Sequence, residues 1–477
     1  MTAPLRSLAL LLAAAAGPSI AGCSSAPSPQ APQAPEQPLP ASVASQPDMI
    51  LALVTGLRAD RLGLPEAEAS FLAALEPTGG LRFTNAYAQS ASASMSLGSL
   101  LTGLYPAAIP LCSAEADSSL AGGAQPKAWC ATLPDDRYTL PEVLGLYGYR
   151  TALIAGGMPQ AALLAGEFQH AVVLDGTRHE GLERQLANEA AAWWQANVDA
   201  PRLLVLVLPS GGWRPDDPRL EGLSKDDLRG ISSAEQQLAI DAYTQAAGRL
   251  GARLRQTLRD LGSGDSGRQQ LVVTSSLHGL SLLEPQGFND EAVDPFDHNV
   301  LLDRTLRVPL VFTGSAAPQG FTEADQVVEL ADLFPTMARL AGATPPAALH
   351  GEDLLALGED ADPQAWAYAE LGDMLMVRRG SHMLLFRTFL HDRSSLDPEL
   401  DTLLAESTPG MEPFWTMHDV LFDPGQQRDL VPERPPELSQ LRGLMLAVRQ
   451  GPGAVPPEYL DPQKVWELRM TRIQSYW

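Results

Sequence analysis

The chain has 477 residues, of which 45% are hydrophobic and 19% are charged, a composition typical of a folded globular protein rather than a disordered one. This length is sufficient for one large α/β domain with a smaller attachment. The formal net charge of −24 at pH 7 would repel nucleic-acid phosphates, so we expect no nucleic-acid partner.

Residues 1–23 have the pattern of a bacterial lipoprotein signal peptide. Arg6 supplies a positive charge, Leu8 to Ala16 is an apolar run, and Ile20-Ala21-Gly22-Cys23 matches a lipobox. The apolar run is about half as long as the ~20 residues that a membrane-spanning helix needs. We therefore expect a lipid on Cys23, which would anchor the protein to a membrane of the cell envelope. Ser24, by resemblance to known lipoprotein sorting, favours the outer membrane or the periplasmic face.

Two further features precede or interrupt the folded part. Residues 24–47 are rich in Pro, Ala, Ser and Gln, which predicts an extended tether. The other two cysteines are Cys112 and Cys130. An exported compartment permits disulfides, so a bridge between them is the simpler interpretation, with two buried free thiols as the alternative.

Continuous apolar runs predict strands that are buried on both faces. They are Met49 to Val54, Tyr149 to Ile154, Leu203 to Leu208, Gln270 to Thr274 and Val308 to Thr313. Two stretches with apolar residues three to four positions apart, Leu182 to Asn197 and Glu235 to Leu261, predict helices. The alternation predicts an α/β fold with a mostly parallel central sheet and helices on both faces. We place this domain at residues 48–365.

After about residue 365 the pattern changes. Met374 to Phe386 predicts a hairpin that turns near Gly380, and His418 to Gly425 predicts a short strand and a turn. A final helix is predicted at about Pro436 to Arg449. We expect a small C-terminal subdomain of antiparallel sheet and helix at residues 366–450, followed by a tail at 451–477.

Several blocks of sequence occur in a fixed order along the folded part. They are LRADRLG (57–63), GLRFTNAYAQ (80–89), SLLTGLYP (99–106), TLPEVL (139–144), GYRTA (148–152), LRVPL (306–310), LADLFPT (330–336) and LFDPGQQRDL (421–430). Together they resemble the sulfatase family of the alkaline-phosphatase-like superfamily. The resemblance implies an α/β fold, hydrolysis of sulfuric or phosphoric esters, and a divalent cation (Ca, Mg or Zn) held by carboxylates.

The positions that carry this chemistry in the family hold other residue types here. Thr55 and Gly56 align with the adjacent metal-binding carboxylates after the first strand, and Leu277 aligns with a further metal-binding Asp. Ala93 aligns with the nucleophile, which is Cys, Ser or Thr in the family. Since a hard cation needs several oxygen ligands, we predict no metal and no other cofactor.

A few polar residues near these positions remain candidates for ligand contacts. Ser92 and Ser94 flank the nucleophile position, but a serine without a base or metal is a weak nucleophile, and a helix start with a serine cap is the simpler interpretation. His278 is retained beside position 277. His298, next to Asp297, aligns with a sulfate-contacting His or Lys of many relatives. An isolated histidine is, however, more often structural than a ligand.

Two pairs of charged residues receive structural interpretations. We expect Arg58 and Asp60 to form a local ion pair or capping network after the first strand. We expect Arg378 and Arg379, in the C-terminal hairpin, to lie on a solvated strand edge.

Two hypotheses for function follow. The first is a membrane-tethered pseudoenzyme that acts as a binding or scaffold component of the cell envelope, with an anionic ligand or an envelope protein as its partner. The alternative is an active sulfuric or phosphoric ester hydrolase with a rearranged site. That site would be built from Ser92 or Ser94, His278, His298 and Asp297.

Overall fold

The computed structural model describes residues 46–62, 71, 80–109, 138–174, 181–209, 231–262, 267–284, 300–318, 321–347, 349–356, 365–371, 374–387, 415–433 and 435–448. The predicted lipidation site Cys23 and the predicted cysteine pair lie outside these residues. Among the helices that the structure describes, none has both the length and the apolarity to cross a bilayer.

A central eight-stranded sheet organises the larger part of the molecule. Its strand order is β4-β3-β5-β1-β6-β7-β2-β8. The strands are β1 Asp48–Val54, β2 Gly80–Tyr87, β3 Arg150–Gly156, β4 His170–Leu174, β5 Arg202–Leu208, β6 Gln270–Ser276, β7 Arg307–Thr313 and β8 Phe321–Glu329. Strands β4, β3, β5, β1 and β6 are parallel, and β7 is antiparallel to both of its neighbours. The prediction of a mostly parallel sheet is confirmed.

Helices cover both faces of this sheet. The α-helices that the structure describes are α1 Ala93–Thr102, α2 Leu140–Leu146, α3 Leu182–Ala196, α4 Ser233–Gly262, α5 Asp303–Leu306, α6 Leu333–Leu340 and α7 Pro436–Val448, of which α7 packs on the second sheet described below. Alternate side chains of β1 enter two separate cores, because successive residues of a strand point to opposite faces. Ile50 and Ala52 pack with residues of α3 and α4, whereas Met49 and Leu51 pack with residues of α1, α2 and α6.

A second, four-stranded antiparallel sheet has the order β12-β11-β10-β9. Its strands are β9 Trp366–Leu371, β10 Met374–Arg379, β11 His382–Arg387 and β12 Trp415–Asp419. The predicted hairpin is confirmed: β10 pairs with β11, and Gly380 adopts a φ of 60° in the turn between them. One face of this sheet packs against α7, and the other packs against residues near the end of β2 and before β7.

The sheet topology gathers several connections at one edge. Parallel strands end on the same side of a sheet, so the turns after β1, β2 and β6 share the carboxyl-terminal edge. Because β7 runs in the opposite direction to β6, the segment that precedes β7 also lies there. This is the edge at which open α/β sheets bind ligands.

Candidate functional site

The turns that follow β1 and β6 are joined by backbone hydrogen bonds. Gly56 donates to the carbonyl oxygen of His278 over 2.9 Å, and Leu277 donates to that of Val54 over 2.8 Å. Gly56 has a φ of 77°, a conformation that glycine adopts with little strain. The two turns therefore form one rigid surface at the carboxyl-terminal edge.

The residues at the aligned metal and nucleophile positions present mainly apolar groups. Leu277 is fully buried and Ala93 is 2% exposed, and both belong to one hydrophobic cluster. Gly56 is buried and has no side chain, while Thr55 is half-buried and offers a hydroxyl group. None of these four positions supplies a carboxylate oxygen.

A group of buried serines lies at the start of α1. The Oγ atoms of Ser92 and Ser94 are 3.0 Å apart. Ser96 donates through Oγ to the carbonyl oxygen of Ser90 over 2.7 Å, and Ser92 donates through its N–H to Ser90 Oγ over 3.1 Å. The predicted helix start is confirmed, with Ser92 at the N-cap position, but its hydroxyl makes no capping bond to the helix backbone. The serines instead bond to one another and to the preceding loop.

His278 is held in a fixed orientation. The residue is 6% exposed, and its Nδ1 lies 2.7 Å from the carbonyl oxygen of Gly279, which requires that Nδ1 carry the proton and donate. Ser276 donates through Oγ to the carbonyl oxygen of His278 over 2.7 Å. The other predicted ligand contacts, Asp297 and His298, lie outside the described residues.

The predicted ion pair between Arg58 and Asp60 is confirmed and is part of a larger network. Arg58 Nη2 and Nε contact the two Asp60 carboxylate oxygens at 2.7 and 2.9 Å. Arg58 Nη1 also donates to Glu284 Oε1 over 2.5 Å. Burial alone would raise the pKa of Asp60, but the Arg58 charge and hydrogen bonds outweigh it and lower the value to about 2. Burial would also raise the pKa of Glu284, but the Arg58 charge and hydrogen bond outweigh it and lower the pKa.

Arg304 brings a further buried guanidinium to this network. Its Nε donates to Ser281 Oγ over 3.1 Å and lies 3.9 Å from Glu284 Oε2. The backbone of Arg304 approaches so closely that a Cβ on Gly279 would lie 2.2 Å from the Arg304 carbonyl oxygen. Only glycine fits at that position without movement of the neighbouring backbone.

Asp303 connects the large sheet to the small one. Its carboxylate accepts from the Tyr87 hydroxyl over 2.5 Å and lies 2.9 Å from Arg307 Nε. Arg378 in turn donates to the Tyr87 hydroxyl. The prediction of a solvated edge is wrong for Arg378, which is 3% exposed, because this face of the small sheet packs on the large one. Arg379, the next residue, is half-buried.

Some of these residues could not be recognised from the sequence, because their partners are distant in the chain. Arg58 and Glu284 are separated by 226 positions, and no local pattern connects them. The only signal was the block that leads into β7, where Asp303 and Arg304 stand next to LRVPL. Hereafter the arginine–carboxylate cluster comprises Arg58, Arg61, Arg304, Arg307, Asp60, Glu284 and Asp303.

The resemblance implies a divalent cation at this edge, which would need oxygen or nitrogen ligands from the surrounding side chains. Among the residues that the structure describes, no three His, Cys, Asp or Glu side chains converge as a metal site requires. All three acids of the arginine–carboxylate cluster are paired with arginine. Its four arginines would repel a dication. The described side chains thus do not fit a hard divalent metal.

Comparison with known proteins agrees with this architecture. Residues 48–343 match the Sulfatase family model. A curated relative, the ulvan-active sulfatase of Formosa agariphila, is 26% identical over 216 residues, which span 45% of this chain and 36% of that protein. The aligned part thus covers about a third of that relative's length.

Solved structures show the same fold. A 2-O GAG sulfatase superimposes with a TM-score of 0.61 at 17% identity, covering 84% of this chain and 91% of the other. A structure from work on glycosaminoglycan metabolism by Bacteroides thetaiotaomicron gives a TM-score of 0.61 at 13% identity, covering 89% and 99% of the two chains. These likenesses establish the fold, and the family match spans more than half of the chain. The chain belongs to the sulfatase family.

Proposed function

We propose that this protein is a sulfatase-family member without a metal-dependent hydrolytic centre, which acts as a binding or scaffold component of the cell envelope. The observation that carries the proposal is the environment of Leu277. This residue aligns with a metal-binding Asp of the family, yet its side chain is fully buried in the same hydrophobic cluster as Ala93. A cation at this place would meet methyl groups where it needs oxygen ligands.

The arginine–carboxylate cluster supports the same conclusion by a separate argument. The carboxylates of Asp60 and Glu284 both contact Arg58, which follows the turn after β1. To bind a cation they would have to release a guanidinium that is 4% exposed. Breaking a buried ion pair costs about 3–5 kcal/mol, so metal binding would oppose the folded arrangement.

The binding role is supported by the cationic character of this edge. Two of the similar proteins are an ulvan-active sulfatase and a 2-O GAG sulfatase. Sulfated polysaccharides are therefore the class of ligand that we consider first for this chain. We propose an anionic ligand for the present chain, with an envelope protein as the alternative partner. A lipid on Cys23 would hold the protein at the envelope, on the outer membrane or the periplasmic face.

The second candidate function is ester hydrolysis by a rearranged site. The observation that favours it is the close pair of hydroxyls on Ser92 and Ser94 at the start of α1. His278, buried at the end of β6, is the candidate base. A serine nucleophile needs such a base within hydrogen-bond reach.

Turnover of aryl esters separates the two functions. The full chain is assayed with para-nitrophenyl sulfate and para-nitrophenyl phosphate, with and without added Ca²⁺, Mg²⁺ or Zn²⁺. An active family member is assayed in parallel to validate the conditions. We expect no turnover above the uncatalysed rate. Turnover that is lost in both Ser92→Ala and His278→Ala would establish the rearranged site and contradict the proposal.

A further inference from the structure

The Arg304 side chain is a buried cation with incomplete hydrogen bonding. It is 4% exposed, and its Nε is occupied by Ser281 Oγ at 3.1 Å. Its two terminal nitrogens, Nη1 and Nη2, are buried and have no hydrogen-bond partner among the described residues. Each of these nitrogens carries two N–H donors.

The nearest carboxylate does not complete this hydrogen bonding. Glu284 lies 3.9 Å from Arg304 Nε, which is beyond hydrogen-bond distance. Its Oε1 accepts from Arg58 at 2.5 Å, and its Oε2 accepts from the Leu282 N–H at 2.6 Å. Glu284 is therefore committed to other donors.

Among the residues that the structure describes, the ion pairs around Arg304 contain one more positive charge than negative charge. Asp60 and Glu284 are shared by three arginines, since Arg61 lies 3.4 Å from Asp60 and 3.7 Å from Glu284. Burial, with the Arg58 charge adding to its effect and nearby carboxylates opposing it, lowers the pKa of Arg304 to about 10, so it stays protonated at neutral pH. An unpaired buried charge is costly, and a native structure that keeps one calls for an explanation.

We propose that Arg304 binds a monoanionic oxyanion, either a sulfate ester or a carboxylate of an acidic ligand, through Nη1 and Nη2. This inference rests on the proposed function, because it takes the edge to be a binding site and not a metal centre. A planar guanidinium fork matches two oxygens of such a group. A single negative charge would balance the excess positive charge. A dianion would bring a second negative charge, and its desolvation would add to the cost of binding.

The network that contains Arg304 also has members that reach solvent. The Asp60 and Arg61 side chains, at the other end of the network, are 31% and 24% exposed. The group that we propose would thus be the buried end of a ligand that enters beside these residues. The aligned metal and nucleophile positions take no part in this contact.

The test uses the full chain after treatment with a chelator, with its metal content measured on the same sample. Methyl sulfate, acetate and chloride are titrated at equal ionic strength, and binding is followed by calorimetry and by the thermal unfolding midpoint. The variants are Arg304→Met, which removes the charge, and Arg304→Lys, which keeps the charge but loses the fork. Arg428→Met is the matched control, since the Arg428 side chain is 70% exposed.

We expect methyl sulfate or acetate to bind and to raise the unfolding midpoint more than chloride does. The affinity should fall by about tenfold or more in Arg304→Met and Arg304→Lys and stay unchanged in Arg428→Met. The probe that binds more tightly identifies the sulfate or the carboxylate class. Arg304→Met should be about as stable as the wild type without ligand, because two of the nitrogens that it removes are buried without a hydrogen-bond partner among the described residues.

Equal affinity in Arg304→Met and the wild type would overturn the inference. So would a metal-free wild-type protein that responds to neither methyl sulfate nor acetate beyond chloride. Stoichiometric metal in the sample would instead contradict the proposed function itself, and the two failures are thereby distinguished.

Discussion

Single side chains decide the chemistry available at the carboxyl-terminal edge of the large sheet. Leu277, at the position that the sequence resemblance aligns with a metal-binding carboxylate, places a fully enclosed apolar side chain at this edge. Arg58, in contrast, is a buried cation that holds Asp60 and Glu284 as anions. An edge of this kind disfavours a divalent cation and favours an anion.

Replacement of Leu277 by Asp, which restores the family's residue type, should destabilise the protein. The change removes a buried leucine from its cluster and places a carboxyl group there. The expected loss in the free energy of unfolding is about 3–5 kcal/mol, measured by chemical denaturation. The matched control is Leu146→Asp, since Leu146 is 60% exposed. Unchanged stability, or stability restored by added Ca²⁺, would show that position 277 still belongs to a metal site.

Replacement of Arg58 by Met should lower stability by about 3 kcal/mol at pH 7, because two partly buried carboxylates lose their partner. The pKa of Asp60 is lowered to about 2 in the folded protein, below its ordinary value of about 4. The ion pair therefore stabilises the fold above about pH 4 and loses this effect as the pH falls towards about 2. The difference between Arg58→Met and the wild type should shrink over that range.

An exposed pair provides the control for this prediction. Arg82 contacts Glu323 at 2.9 Å, and the Glu323 side chain is 53% exposed. Arg82→Met should cost only about 0.5 kcal/mol at pH 7. If denaturation midpoints showed equal losses for the Arg58 and Arg82 variants, the buried network would not stabilise the fold as argued.

The sequence identified the site positions better than it identified their partners. Thr55, Gly56 and Leu277 were identified because blocks that resemble the family flank them. Glu284 and Arg304 were missed because their roles depend on contacts between turns that are distant in sequence. Such contacts arise from the sheet topology and leave no local pattern.

At the scale of elements, the junction between β8 and α6 carries two buried acids. Glu329 accepts hydrogen bonds from the Tyr105 hydroxyl at 2.6 Å and from the Tyr368 N–H at 2.8 Å. Asp332 accepts from the N–H of Glu329 at 2.7 Å and from that of Glu352 at 2.8 Å. Burial raises the pKa of both carboxyl groups above the ordinary range, and repulsion from Asp332 adds to the effect on Glu329.

This junction should make the fold less stable as the pH rises. A carboxyl group with a raised pKa binds more protons in the folded state than in the unfolded state between its two pKa values. Its stabilising effect is therefore present below about pH 4 and is lost as the pH rises towards neutrality and above. Glu329→Gln should reduce this loss, so that its stability relative to the wild type increases from pH 5 to pH 8 by about 1 kcal/mol or more.

The measurement is the denaturation midpoint of each variant across that pH range. Glu323→Gln serves as the control, because Glu323 lies at the surface and should show no such change. A constant difference between Glu329→Gln and the wild type at all pH values would contradict the raised pKa.

Patterns of burial explain which elements could be predicted. The five strands predicted from continuous apolar runs are β1, β3, β5, β6 and β7, which lie inside the large sheet. Strands β4 and β8 were missed because they are the edge strands, and the sequence of β4 (His170–Leu174) lies on a half-exposed surface. Strand β2 was not predicted either, because its burial is interrupted and a register shift separates Phe83 from Ala86.

At the scale of the whole molecule, the chain has the fold of the sulfatase family, and the absence of a metal-dependent centre is the part that we propose. Two extensive hydrophobic cores lie on the two faces of the large sheet. The family blocks therefore predicted the architecture well, since they record packing requirements. They could not predict the ligand, because the contacts of Glu284 and Arg304 join turns that are distant in sequence.

We propose that the segment before β1 sets the position of the protein in the cell. Cys23→Ser should move the protein from the membrane fraction to the soluble fraction, because the variant lacks the residue that would carry the lipid. The fractions are compared by immunoblotting after expression in a bacterium with lipoprotein processing. Cys112→Ser is the control and should stay in the membrane fraction. A membrane-bound Cys23→Ser variant would contradict the predicted anchor.

Metal titration of the wild-type protein tests the central claim most directly. The purified full chain is stripped with a chelator, its residual metal is quantified by elemental analysis, and Ca²⁺, Mg²⁺ and Zn²⁺ are added in a calorimeter. The account predicts less than stoichiometric residual metal and no saturable binding to the folded protein. One equivalent of tightly bound cation, lost in Thr55→Ala or in Leu277→Phe, would contradict it.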